Sequence, residues 1–304
     1  DAIQALLMLA ALLISPLIVI NGVGGTSAVL EQLQQINPAS ASLFADLTLV
    51  GFISLIAWGL GYVGQPHILA RFMAVESPLK LVLARRISMS WMIIVLIGSV
   101  STGLVGIVFF ADEPLKNSET VFIALSQSLF NPWVAGIITA AILSAIMSTI
   151  DSQLLVSSSV ISEDFYRVFI RTAASQKELL LVSRLAVIVI AILALAIASN
   201  RDSRVLDLVS YAWAGFGSSF GPVIVFSLFL RKMTAFSAMV GMLIGAITVV
   251  LWSNLNGGIF DLYVIVPGFL LASFAIVVIS LLRPEQKKIS LEQYDDVQSL
   301  LAVP

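Results

Sequence analysis

The sequence has no cysteine at any of its 304 positions and a single histidine, His67. Disulfides, thiolate metal sites and cysteine nucleophiles are therefore excluded, and one imidazole is too few for a histidine-built metal centre. Charge is also scarce: 11% of residues are acidic or basic, and the net charge is −2. Soluble domains carry roughly 25%, and a chain this close to neutral offers nothing to a nucleic-acid backbone. No nucleophile–base pair, metal cluster or phosphate loop stands out, so an enzyme is not expected. The sequence opens on Asp1 rather than Met, without the basic n-region or small-residue cleavage site of a signal peptide. The expectation is a chain cut from a longer protein.

What is abundant is apolar sequence, 59% of residues, with a mean hydropathy of +1.03. A helix needs about 20 mainly apolar residues to cross the hydrocarbon core, and eight stretches qualify, at about 2–23, 46–74, 84–110, 133–161, 178–199, 205–230, 234–253 and 262–282. The fold class is thus all-α, a polytopic membrane helical bundle. The connections near 24–45 and 111–132 carry acidic and amide residues suited to short surface helices, and the tail from Arg283 is polar. Basic residues are partitioned. Arg71, Lys80, Arg85, Arg86, Arg167, Arg171, Lys177, Arg184, Arg231, Lys232, Arg283, Lys287 and Lys288 follow even-numbered spans, whereas only Lys116, Arg201 and Arg204 follow odd ones. The positive-inside rule then predicts a cytoplasmic C-terminus and a first span running outward.

Three spans depart from plain hydrophobicity. The second contains Trp58-Gly59-Leu60-Gly61-Tyr62-Val63-Gly64-Gln65-Pro66-His67. Three glycines and a proline weaken the helical ladder, and unwound backbone at membrane depth persists only inside protein or beside a water-filled cavity. A break between about Trp58 and Pro66 is expected. Trp58 and Tyr62, four apart, share a helical face; they either wall a small apolar solute or pack in a kinked helix. His67 reads as a structural hydrogen-bonding group. The fourth span holds Ser144, Ala145, Ser148, Thr149, Asp151, Ser152 and Gln153. Ser144, Ser148 and Ser152 form an i+4 ladder, with Asp151 three residues after Ser148. A carboxylate at depth costs ~2.5–3.5 kcal/mol on insertion scales and so needs a partner or a cavity. The oxygens suit an alkali cation, and the small residues equally suit helix packing; for Asp151 the options are a bound cation or protonation. The sixth span, with Ser210-Tyr211-Ala212-Trp213-Ala214-Gly215-Phe216-Gly217 and Gly221-Pro222, is also expected to be interrupted. Gly241 and Gly245 in the seventh form a GxxxG, read as helix contact.

These strings resemble the sodium/solute symporter family. Trp58 to Pro66, extended through His67-Ile68-Leu69-Ala70-Arg71-Phe72, is similar to its signature in the first helix of the second repeat, and Met147-Ser148-Thr149 with Gln153-Leu154-Leu155 resembles its sodium-site helix. Arg85 to Met89, Ser175 to Leu179 and Val209 to Gly217 are similar to the family's proline carriers, and the likeness runs from Asp1 to about residue 282. The resemblance implies an inverted-repeat, five-plus-five transporter fold. On that map the first span ends repeat one, spans two to six form repeat two, two helices are peripheral, and the first four core helices are missing. Residues 1–282 would be the membrane core and 283–304 a cytoplasmic tail. It further implies sodium-coupled symport of a small solute in a bacterial inner membrane. Proline is the expected solute; a sugar, pantothenate or sialate carrier and a symporter-like sensor domain are the alternatives. Ala145 (through its carbonyl), Ser148 and Thr149 would bind sodium. Trp58 and Tyr62 would contact proline, with Gln65 and Pro66 shaping the break. Asp151, Ser152 and Asp1 match positions used for a second sodium in some relatives, although the proline carriers lack a carboxylate at the Asp151 position.

Overall fold

In a computed structural model the described residues are 2–42, 44–199 and 204–283, with 291, 294, 295 and 298 of the tail. Asp1 and most of the tail lie outside them. Among the described residues all regular structure is helical. Seven helices among the described residues are long and apolar enough to cross a membrane, or eight if the bent pair Leu49–Tyr62 and Pro66–Met73 counts as one span. The chain divides into two compact units: residues 1–46 with 75–187, and residues 47–74 with 188–304.

In the first unit α1 (Ala2–Val23) is followed by α2 (Thr26–Ile36), the short helix expected in the first connection. The second unit then supplies α3 (Leu49–Tyr62) and α4 (Pro66–Met73), after which α5 (Pro78–Phe109), α6 (Val121–Leu129) and α7 (Pro132–Ser159) return to the first. Starts follow local chemistry. Asn131 accepts from Val134 N at 3.0 Å with Pro132 at the first helical position of α7; α5 also opens on a proline, Pro78, without a side-chain cap from Ser77. The fourth span is continuous through Ser148 and outruns its expected end at 161. It passes into a π-helical stretch, Val160–Ile170, at whose start Ser158 and Ser162 hydroxyls donate to carbonyls three residues back. The core of this unit joins Val19 of α1, Val29 and Leu33 of α2, Val105 and Val108 of α5 and Leu125 of α6. Leu33 and Leu125 are fully buried, and truncating either to alanine costs about 2–5 kcal/mol.

α8 (Gln176–Ala198) crosses the division at residue 187 and buries only Leu179 and Ala186. An apolar helix with its side chains turned outward fits lipid contact. The second unit continues with α9 (Val205–Phe229), α10 (Ala235–Trp252) and α11 (Ile265–Leu282), which pack on one another and, through α9 and α11, on α3. Small residues set the spacing. A Cβ on Gly245 would fall 2.2 Å from Ser218 O, and one on Gly241 would fall 2.4 Å from Ile276 Cγ1, so the GxxxG face is a contact face.

One expectation is corrected here. α9 is not interrupted: it runs unbroken from Val205 to Phe229 with buried Pro222 inside it. Pro222 removes the donor for the carbonyl four residues back, Ser218 O, and that carbonyl lies against the bare backbone of Gly245. Neighbouring helices that meet the freed group let a proline stay inside a membrane helix.

Candidate functional site

The second span does break, and the break is shorter and later than expected. α3 is helical through Trp58, Gly59, Gly61 and Tyr62. The chain turns over Val63–Gln65, where Gly64 N donates to Gly61 O at 3.1 Å and Gln65 N to Tyr62 O at 3.4 Å. Pro66 then starts α4, at 45° to α3. The glycines before the turn serve close packing. A Cβ on Gly61 would meet Trp213 Nε1 at 1.9 Å, and one on Gly64 would meet Phe216 O at 2.5 Å.

Around the break the side chains form one aromatic group. Trp58 stacks on Tyr263 (centroids 5.3 Å, planes 22° apart) and is tilted against Trp213 at 6.1 Å. Tyr62 meets Trp213 edge-on at 4.8 Å and is 45% exposed. Trp213 Nε1 donates to Trp58 O at 3.0 Å. Buried Gln65 donates from Nε2 to Gly61 O at 3.2 Å and to Trp213 O at 3.3 Å, so its amide ties the turn to α9. Pro66 and His67 are half-buried. Of the four residues predicted for the solute, Trp58 has one face taken by Tyr263, Gln65 is committed to backbone carbonyls, and Tyr62 is the most open.

In the first unit, α7 carries the predicted cation oxygens. Thr149 Oγ1 donates to Ala145 O at 3.2 Å and Ser152 Oγ to Ser148 O at 2.9 Å, while Ser144 Oγ donates to the side-chain oxygen of Gln4 on α1. Ala145 and Gln4 border an apolar cavity of about 480 Å³ shared by α1, α5, α6 and α7. Ala145, Ser148 and Ser152 are half-buried; Thr149 and Asp151 are exposed. The Asp151 carboxylate has no hydrogen-bond or ion-pair partner among the described residues. Asp1, its predicted companion, lies outside them. Reading the sequence missed Gln4, although an amide in the first turn of a 22-residue apolar helix was a visible signal. It also missed Tyr263, whose place beside Trp58 depends on a contact some two hundred residues away.

A membrane helical bundle with a broken span and hydroxyl-rich helix is the architecture of secondary transporters, and the comparisons with known proteins agree. The sodium:solute symporter family matches residues 1–245, and the chain belongs to that family. It is 52% identical over 288 residues to the sodium/proline symporter of Salmonella typhimurium, covering 93% of this chain and 57% of that protein. It is 43% identical over 305 aligned positions to the high-affinity proline transporter PutP of Bacillus subtilis, covering 99% of this chain and 64% of that one. The chain thus spans about three-fifths of the length of the curated relatives it matches. Among solved structures, a Na+-coupled sialic acid symporter in a substrate-bound outward-open state superposes with a TM-score of 0.70 at 21% identity, over 93% of this chain and 61% of that one. The fold is shared at that distance. The protein is an integral membrane protein, and its named relatives are symporters and transporters rather than enzymes.

Proposed function

We propose that the chain forms the larger part of a sodium-coupled secondary active symporter of the bacterial cytoplasmic membrane, and that its solute is proline. The observation that carries this reading is the turn at Val63–Gln65 beside exposed Tyr62, in a chain 52% identical to sodium/proline symporters. Trp58 and Tyr62 present apolar rings to the pyrrolidine of proline, and Gln65 and Pro66 hold the turn open. Ala145 through its carbonyl, with the Ser148 and Thr149 hydroxyls, takes the main sodium; a hard cation is satisfied by such neutral oxygens in place of water. Asp151 and Ser152, with Asp1, are the proposed positions for a second sodium. Solute and ion bind near the midplane while helices rock between two access states. α3 to α9 correspond to one five-span repeat, residues 1–282 to the membrane part, and 283–304 to a tail on the cytoplasmic side, as the Lys and Arg partition favours.

The test is uptake by the complete gene product in proteoliposomes carrying an inward sodium gradient. Labelled proline should accumulate only with sodium, and unlabelled proline should compete while glucose, pantothenate and sialate do not. A sugar or sialate that outcompetes proline would keep the fold and overturn the substrate.

A further inference from the structure

We infer that Tyr263, on the segment leading into α11, is a positioning residue for the solute site: it holds the Trp58 ring in place from outside the helix that carries it. This deepens the proposed function and rests on it. Tyr263 reaches three points at once. Its ring stacks on Trp58 with centroids 5.3 Å apart. Its hydroxyl donates to Ser210 O on α9 at 2.8 Å, and its backbone N–H donates to Ser54 Oγ on α3 at 2.9 Å. Ser54 and Trp58 are one helical turn apart, so Tyr263 is pinned to the same face of α3 at two successive turns. The hydroxyl bond to α9 fixes the far end of the ring, and Trp213, on the same helix as Ser210, closes Trp58 from a second side at 6.1 Å.

The Trp58 indole therefore cannot choose its rotamer freely. One face is occupied, its orientation is set by a ring anchored on two helices, and only the remaining surface is left for a solute. α11 follows the repeat and belongs to the pair of helices read as peripheral. Through Tyr263 its entry segment decides where an aromatic wall of the solute site stands. Positioning of this kind acts on solute affinity, because a ring displaced by even one ångström loses contact with a rigid ligand.

Tyr263→Phe keeps the stack and drops the bond to Ser210 O, Tyr263→Leu drops both, and Ser54→Ala removes the acceptor of the Tyr263 N–H. Each is made in the complete gene product and assayed for proline uptake as a function of proline and of sodium, normalised to protein in the membrane. The expected pattern is a graded rise in KM for proline, largest in Tyr263→Leu at roughly 3- to 10-fold, the scale of a lost aromatic pair. Maximal rate should stay within about twofold and half-saturating sodium should stay unchanged, since the proposed cation oxygens belong to α7. Tyr263→Trp, which restores a stacking ring, should recover more of the wild-type KM than Tyr263→Leu. If Tyr263→Leu fails to accumulate, Tyr263→Phe and Ser54→Ala decide. Wild-type KM in both of these, or a loss confined to maximal rate, overturns the positioning role. A wild-type protein that takes up no proline overturns the transport reading and this inference with it.

Discussion

Gly61 of α3 and Trp213 of α9 are packed backbone to ring, so closely that a Cβ on Gly61 would sit 1.9 Å from the indole nitrogen. The same indole donates to Trp58 O, one turn earlier on α3. Gly61→Ala must therefore displace a ring that is also a hydrogen-bond donor. Gly59, two residues away, has nothing within 4 Å of where its Cβ would be. Overpacking of this kind costs typically about 1–3 kcal/mol, whereas an alanine at an open helical glycine gains up to about 1 kcal/mol. Thermal unfolding of the detergent-purified protein should separate the two: Gly61→Ala loses melting temperature and proline binding, and Gly59→Ala keeps both. Equal behaviour of the two variants would contradict the packing described.

Sodium dependence is expected to reside in α7. The Thr149 hydroxyl bonds to Ala145 O, and the Ser148 carbonyl accepts from Ser152. Ser148→Ala or Thr149→Ala removes a neutral oxygen without altering charge. Half-saturating sodium for proline uptake should rise about tenfold or more in each, the equivalent of about 1.4 kcal/mol, with expression little changed. An unaltered sodium curve in both variants would remove these residues from the site.

Asp151 offers a sharper measurement. Its carboxylate is exposed on α7 and has no partner among the described residues, the condition in which a second cation is most useful to it. Reversal potentials in proteoliposomes give the number of sodium ions moved per proline. The expectation is two for the wild type and one for Asp151→Asn; one in both proteins removes Asp151 from a second cation site.

At the end of α9, Arg231 holds Asp295 of the tail in a two-pronged pair, Nε to Oδ1 at 3.0 Å and Nη2 to Oδ2 at 2.7 Å, and Gln298 donates to Leu228 O at 2.8 Å. The hydrogen bonds from Arg231 hold the Asp295 carboxyl below its ordinary value. A depressed carboxylate pKa contributes attachment that is fully present above the unpaired value and is lost as pH falls through the paired one. Hydrogen-exchange protection of the segment around Tyr294 and Gln298 should therefore be flat from about pH 5 to pH 8. It should fall in Asp295→Asn. A tail equally protected in that variant would mean that the pair does not hold it.

Composition alone made the eight spans legible, because apolar runs of this length have few other uses. The two short helices in the first and third connections were legible from their polar residues. Harder to read was the meaning of each glycine. Gly61 and Gly64 stand in one run, yet Gly61 is helical and packs on Trp213, while Gly64 belongs to the turn and rests on Phe216 O. Likewise Gly221-Pro222 has the composition of a break and sits in an unbroken helix, because Gly245 lets α10 come against the freed carbonyl. Whether small residues loosen a helix or let another approach depends on a partner far away in sequence. The serine ladder of α7 was visible directly; that Ser152 turns back onto its own helix while Ser144 reaches Gln4 of α1 was not.

The turn at Val63–Gln65 changes what it takes to bend the second span. Its backbone bonds are local, from Gly64 to Gly61 and from Gln65 to Tyr62, and Pro66 has no N–H to contribute beyond them. Swinging α4 about this point leaves the ladders of α3 and α4 intact. The long-range side-chain bond it gives up is the one from Gln65 to Trp213 O. A neutral bond of that kind contributes about 1 kcal/mol, so beyond the packing of Gly64 on Phe216 O the joint is tied to α9 by one weak side-chain bond.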